Sequence, residues 1–130
     1  MNPVYLETHF RVPNGVRRWP VKFVILSAFA TTGETWTEDQ NAAADHALDL
    51  ELRARAKWQQ RVVGYSPSSG HAEESWATDL PLDEARSLAR QFKQDAIYVV
   101  DNDQLMVTDA SPNAPLFQVG SFRSRLDARE

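Results

Sequence analysis

Apolar and polar residues alternate along the chain in patterns that predict several strands and two helices. The strongest strand signal is the run of residues 21–30, which is rich in β-branched and aromatic side chains and is apolar on both faces after Lys22. A run of that kind is typical of a strand in the middle of a sheet that is covered on both sides. We therefore expect this segment to form the centre of the sheet.

Shorter segments with strand character lie before and after this run. Residues 5–12 alternate between polar and apolar positions, as a half-buried strand does. The other candidate strands are residues 60–65, 73–79, 96–100, 104–108 and 116–122. The Ser-Pro-Ser-Ser-Gly segment at residues 66–70 predicts a hairpin loop between the first two of these.

Two segments have the spacing of amphipathic helices. Thr37 with Gln40 three residues later forms a capping box, which predicts a helix from residue 37 to about residue 58. Pro81 occupies a position that is favoured at the first residue of a helix, where a missing N–H costs nothing. Apolar residues at helical spacing follow it and predict a second helix that ends near Gln94.

The predicted order from residue 21 to residue 100 is strand, helix, strand, strand, helix, strand, which is the ferredoxin-like order β-α-β-β-α-β. The sequence thus predicts an α+β fold: a two-layer sandwich in which two helices cover one face of a mainly antiparallel sheet, with extra flanking strands. We expect one domain over residues 1–122 and a charged tail, residues 123–130, that frays.

Composition narrows the classes of function. The chain of 130 residues contains no cysteine, which excludes disulfides and cysteine-ligated metal sites and fits a cytoplasmic location. No signal peptide is expected at the N-terminus, and the apolar run is about half as long as a membrane span. Eighteen acidic and fourteen basic residues give a net charge of −4, so the general attraction for nucleic acid is lacking. We expect no membrane or nucleic-acid partner and no cofactor.

The densest group of reactive side chains is the Gly-His-Ala-Glu-Glu-Ser-Trp segment at residues 70–76. On an extended strand His71, Glu73 and Ser75 face one side, and Glu74 faces the other. A histidine beside a carboxylate suits a general base with its orienting partner, or part of a metal site. No third ligand pattern accompanies the pair, and no G-x-S-x-G elbow surrounds the serine. The simplest interpretation is a hairpin arm with solvated polar groups; binding and catalysis are the alternatives.

Four more polar side chains could reach the same end of the sheet. Thr31 and Thr32 follow the central strand just before the first helix, where backbone amides can bind an anion. Asn41 lies in the first turn of that helix, and Gln94 lies near the end of the second. The plainer interpretation is a simple strand-to-helix connection and two surface amides.

Several short motifs, taken in order, resemble one family. They are Phe-Val-Ile-Leu-Ser-Ala-Phe at residues 23–29 with Gly33, then Asn41, Leu48 and Leu52, His-Ala-Glu-Glu-Ser-Trp at 71–76, Ala85, Leu88-Ala89, Phe92, Gln94 and Ala-Ile-Tyr at 96–98. Over about residues 5–107 the chain is similar to DUF3293, small bacterial and phage proteins of unknown function. Members usually have an Asn-Pro-Gly-like turn and a Phe-Gly-Gln run, where this chain has Ala-Thr-Thr-Gly and Phe-Lys-Gln with Lys93 in place of glycine. The resemblance implies a fold group and no established activity.

From these observations we expect a non-catalytic module that binds a small polar ligand or a nucleotide. The candidate ligand-binding residues are His71, Glu73, Glu74, Ser75, Asn41, Gln94, Thr31 and Thr32. One alternative is a phage or mobile-element accessory protein that binds and inhibits another protein. The other is a small enzyme that uses the cluster of His71, Glu73 and Glu74. Convergence in a concave pocket favours ligand binding, whereas an exposed apolar patch favours a protein interface.

Overall fold

The computed structural model describes residues 3–13, 18–30 and 35–127. Two helices and a curled seven-stranded antiparallel sheet are present in these residues, so the predicted α+β class is confirmed. The strands are β1 (His9–Arg11), β2 (Lys22–Ser27), β3 (Gln59–Tyr65), β4 (Ala72–Thr78), β5 (Ala96–Asp101), β6 (Gln104–Asp109) and β7 (Leu116–Ser121). The helices are α1 (Glu38–Arg55) and α2 (Leu82–Gln91), and 3₁₀ turns form at Pro3–Leu6 and Arg123–Arg125.

The strands lie side by side in the order β1-β3-β4-β2-β5-β6-β7, and each neighbouring pair is antiparallel. β2 is therefore the middle strand, as its apolar character on both faces predicts. Its antiparallel partners are β4 on one side and β5 on the other. The polar hairpin arm is thus next to the centre of the sheet, and not at its margin.

Hydrophobic clusters lie on both faces of β2. On one face Val24 and Leu26 pack with side chains of both helices, among them Leu48 and Leu88. Full burial of one such leucine contributes roughly 1.5–3 kcal/mol. The other face of β2 packs in a second cluster, which combines aromatic and aliphatic side chains. Its members include Phe10, Trp19, Phe23, Ile25, Trp58, Tyr98, Phe122 and Leu126.

The two ends of the described chain bring the edges of the sheet together. β1 is one edge strand and β7 is the other. Leu126, just beyond β7, forms a parallel bridge with Phe10 of β1, and the Asp127 N–H donates to the Phe10 carbonyl oxygen at 3.0 Å. Residues 123–127, the described part of the expected tail, are docked, because an apolar side chain and backbone hydrogen bonds hold them against the first strand.

Most predicted elements occur close to their predicted positions. The capping box is confirmed: Thr37 Oγ1 accepts from the Gln40 N–H at 3.1 Å, and Gln40 Oε1 accepts from the Thr37 N–H at 2.8 Å. Helix α1 ends three residues earlier than predicted because Asp79 Oδ1 accepts from the N–H groups of Lys57 and Trp58, at 3.0 and 3.1 Å. These hydrogen bonds fix the turn that connects α1 to β3.

The prediction for residues 5–12 is wrong in extent. Only His9–Arg11 forms a strand, and residues 3–6 form a 3₁₀ turn. Alternation alone did not reveal this turn, because tertiary contacts hold the segment across the open face of the sheet. Among the described residues no helix has the length and apolar composition that crossing a membrane requires.

Candidate functional site

A cavity of about 240 Å³ lies against the face of the sheet that carries Ile25 and Tyr98. Its floor is formed by side chains of the central strands, and the N-terminal segment covers it through Val4, Tyr5 and Thr8. Both helices contribute mainly to the cluster on the opposite face. The cavity is therefore built by the sheet and the N-terminal segment, and Gln94, just beyond α2, closes one side.

Four of the predicted site residues line this cavity: His71, Glu73, Ser75 and Gln94. Glu74 does not line it. Its side chain lies on the other face of β4, where its carboxylate is 3.4 Å from the Arg61 guanidinium. The predicted alternation along residues 71–75 is thus observed, because β4 is paired in regular register with both of its neighbours. Thr31 and Thr32 lie outside the described residues.

Asn41 and Gln94 both contact the segment that follows β2. Asn41 Oδ1 accepts from the Ala30 N–H at 2.9 Å, and Gln94 Nε2 donates to the Phe29 carbonyl oxygen at 2.7 Å. Gln94 Nε2 also lies 3.2 Å from the Phe92 carbonyl oxygen, and two carbonyl neighbours require that the amide nitrogen points this way. The two amides therefore hold one wall of the cavity, since Ala30 is part of its lining.

His71 and Glu73 form a pair at the mouth of the cavity. His71 Nε2 is 2.9 Å from Glu73 Oε2, and the two side chains are 69% and 30% exposed. Ser75 Oγ donates to the Glu73 carbonyl oxygen at 3.3 Å and makes no contact with the histidine. The serine is therefore not activated by a base, and the arrangement suits binding better than nucleophilic chemistry.

Sequence reasoning missed the tyrosines of the site. Burial raises the pKa of Tyr98 well above its usual range, and its hydroxyl donates to the Tyr5 carbonyl oxygen at 2.9 Å. The same hydroxyl is 2.7 Å from Thr8 Oγ1. The Tyr5 and Phe10 rings meet the Tyr98 ring edge-on, with centroids 6.4 and 5.4 Å away. A tyrosine among the aliphatic residues at 96–100 of β5 is the signal that marks this position.

The one formally charged side chain in the described lining is acidic, while the positive charge of Arg125, outside the lining, partly opposes the rise in the pKa of Tyr98. Glu73 is the one acidic residue among the described lining residues, and neither lysine nor arginine occurs among them. Burial first, and then the negative charges of Asp95, Glu73 and Asp109, raise the pKa of Tyr5. The cavity thus favours a neutral or positively charged guest over an anion.

The described residues contain no cluster of three or more His, Asp or Glu side chains arranged to hold a metal ion. The polar groups that do converge are hydroxyls, one carboxylate, one imidazole and one amide, among aromatic and aliphatic walls. Such a lining can bind an organic molecule by apolar contact and orient it by a few hydrogen bonds.

A family model described as a protein of unknown function, DUF3293, matches residues 26–97, a little over half of the chain. The matched span includes Asn41, the hairpin arm of β3 and β4, and Gln94. It excludes Tyr5 and Thr8, which cover the cavity. No curated protein matches the sequence.

Proposed function

Because the chain belongs to the DUF3293 family, whose function is unknown, we propose a function from the geometry of the site: the domain is a non-catalytic module that binds a small polar ligand. The observation that carries this proposal is the cavity of about 240 Å³ beneath the N-terminal segment. It combines apolar and aromatic walls with a few convergent polar groups, as small-molecule sites do.

The size and charge of the cavity favour a small molecule over a nucleotide. Sites for drug-sized ligands have volumes of about 300–1,000 Å³, so this cavity suits a smaller guest. Arginine and lysine side chains are strong donors to a nucleotide phosphate, and the described lining has neither. The Glu73 carboxylate would repel it.

Catalysis has weaker support. The enzyme alternative requires His71 to act as a base beside a carboxylate and a reacting group. The histidine is 69% exposed, and the nearest serine on the same strand face, Ser75, donates elsewhere. Glu74, the third member of that cluster, is on the opposite face with Arg61.

The accessory-protein alternative is the second candidate function. The exposed side chains of Leu116 and Phe117 on the edge strand β7, 44% and 43% accessible, favour it. Consecutive residues of a strand face opposite sides, so each of these side chains offers a partner a separate apolar contact. Loss of partner binding in a Phe117→Ser variant with an intact cavity would favour this role over ligand binding.

We further propose that β2, α1, β3, β4, α2 and β5 form a ferredoxin-like two-layer unit. The strand order β3-β4-β2-β5 supports this, since α1 and α2 each connect strands that are separated by one intervening strand. An experimental structure with a left-handed crossover at either helix would contradict it. A cytoplasmic location, which the lack of cysteine supports, is testable by cell fractionation.

A thermal-shift screen of small polar compounds, followed by NMR titration of the hits, tests the binding role. A ligand at 100 times its dissociation constant stabilises the folded state by about 2.7 kcal/mol. Ser75→Phe fills the cavity and should abolish binding, while Glu74→Gln, on the opposite face of the same strand, should bind normally. Circular dichroism verifies that both variants fold. Equal binding to Ser75→Phe, or no hit in the screen, would contradict the proposal.

A further inference from the structure

The hydroxyl donors deep in the cavity are already used by the protein. Ser27 Oγ, 8% exposed as a residue, donates to the Glu74 carbonyl oxygen at 3.0 Å and accepts from the Phe29 N–H at 3.0 Å. Ser75 Oγ donates to the Glu73 carbonyl oxygen at 3.3 Å. Each hydroxyl has a single proton, so neither serine can donate to a guest without breaking one of these bonds.

The amide and phenol donors are used in the same way. Both contacts of Gln94 Nε2 are carbonyl oxygens, those of Phe29 and Phe92, at 2.7 and 3.2 Å. The Tyr98 hydroxyl donates to the Tyr5 carbonyl oxygen. These four lining side chains therefore offer a guest no free proton, and the Tyr5 hydroxyl can act either as donor or as acceptor.

Several hydrogen-bond acceptors in the cavity, in contrast, remain available to a guest. Glu73 Oε2 contacts His71, but Glu73 Oε1 has no hydrogen-bond partner among the described residues, and the same holds for Gln94 Oε1. Ser75 Oγ keeps its lone pairs. The contact of His71 Nε2 with Glu73 at 2.9 Å also demonstrates that a nitrogen donor can reach this carboxylate.

The aromatic side chains that line the cavity suit the hydrocarbon part of an organic cation. Tyr5, Phe10 and Tyr98 present aromatic surface to the cavity, and this surface can pack against an apolar group. The described lining residues include one carboxylate and no lysine or arginine, and the guanidinium of Arg125, outside the lining, is bound to the carbonyl oxygens of Leu6 and Thr8.

We propose that this cavity binds a small primary amine in its protonated form, with the three N–H groups of the ammonium donating to Glu73, Ser75 and Gln94 and the apolar body against the aromatic wall. The inference rests on the proposed binding function and adds the class of ligand. An alcohol of the same shape can fill the same space, but it supplies one proton and no charge. A carboxylate supplies no proton, and its negative charge is repelled by that of Glu73.

NMR titration of the full chain with matched probes tests the ligand class. The probes are phenethylamine, phenethyl alcohol and phenylacetate. Two further sets carry the amine, hydroxyl or carboxylate on an ethyl or an isobutyl group, so that the apolar part of the probe is smaller. We expect the best amine to bind at least about tenfold more tightly than its alcohol, which one charged hydrogen bond supplies, and the carboxylates to bind most weakly. Glu73→Gln should reduce amine binding to the level of the alcohol, and Glu74→Gln should leave it unchanged.

The outcomes separate the two proposals. Alcohols or carboxylates that bind as tightly as the amines, with all binding lost in Ser75→Phe, would overturn the ligand class and leave the binding function standing. Amine binding that persists in Ser75→Phe would place the site outside the cavity and overturn both. Absence of amine binding at tens of millimolar would overturn the ligand class, and the broader compound screen then decides the binding function separately.

Discussion

Asn41 and Gln94 hold opposite sides of a single peptide group. The carbonyl oxygen of Phe29 accepts from Gln94 Nε2 at 2.7 Å, and the N–H of Ala30, in the same peptide unit, donates to Asn41 Oδ1 at 2.9 Å. One amide comes from the start of α1 and the other from just beyond α2. Two helices thereby fix the segment that leaves the central strand, next to the cavity.

The two amides should respond oppositely to replacement by a carboxylate. Asn41→Asp keeps the oxygen acceptor and places a negative charge in the first turn of α1, where the helix dipole favours it, so we expect a change within about 0.5 kcal/mol. Gln94→Glu removes the donor and brings a carboxylate against the Phe29 carbonyl oxygen. We expect a loss of about 1–3 kcal/mol in the free energy of unfolding, measured by urea denaturation. Equal losses in both variants would contradict the observed orientation of the amides.

Lys93 has a backbone φ of 59°, a left-handed conformation in which glycine is favoured. It follows the last turn of α2 in a Schellman arrangement, with the Gln94 N–H donating to the Ala89 carbonyl oxygen at 2.9 Å. This turn brings Gln94 to Phe29. Lys93→Gly should raise the free energy of unfolding by up to about 1 kcal/mol, measured by chemical denaturation. Lys93→Ala is the control and should give no gain, because it retains a Cβ.

Tyr98→Phe should loosen the segment over the cavity. The variant keeps the aromatic contacts but removes the hydroxyl that bonds the Tyr5 carbonyl oxygen and Thr8. We expect a loss of about 1–2 kcal/mol in stability and faster amide hydrogen exchange over residues 3–8. Tyr65→Phe is the comparison, because its hydroxyl bonds Asp127 instead. Unchanged exchange over residues 3–8 in Tyr98→Phe would mean that other contacts hold the segment.

Asp103 should contribute acid-dependent stability. The hydrogen bond from Ser121 Oγ at 2.6 Å, with that from the Arg123 N–H, lowers the pKa of the Asp103 carboxyl. A lowered pKa in the folded state gives stability that is present above the unfolded value of about 4 and is lost as the pH falls through the folded pKa. The melting temperature of Asp103→Asn should therefore be lower than that of the wild type at neutral pH, and the two melting temperatures should converge in acid. Asparagine tolerates the φ of 70° found here, so a pH-independent difference would refute the assignment.

Arg86 should be the most sensitive arginine of the described chain. It is 4% exposed and donates to the carbonyl oxygens of Ser111 and Ala114, both at 2.9 Å, in the loop before β7. Arg86→Leu leaves these oxygens without their donor and should cost about 3 kcal/mol of unfolding free energy. Arg53→Leu, at a side chain that is 67% exposed, is the control and should change stability little. A similar small effect at Arg86 would indicate that the loop does not depend on it.

The sequence by itself determined the features that follow from short-range rules. The capping box marked the start of α1, two-sided apolarity marked the central strand, and the period of two placed Glu73 and Glu74 on opposite faces of β4. Each of these depends only on residues within a few positions, so a linear pattern contains the necessary information.

Only the tertiary structure decided what closes the cavity and what the amides do. Tyr98 bonds Tyr5 across 93 positions, Gln94 bonds Phe29 across 65, and Arg125 bonds Leu6 across 119. Such pairings arise when the curled sheet brings distant segments together, and no local periodicity encodes them. The polar arm was visible in the sequence, whereas the aromatic cover that makes it part of a cavity came from long-range packing.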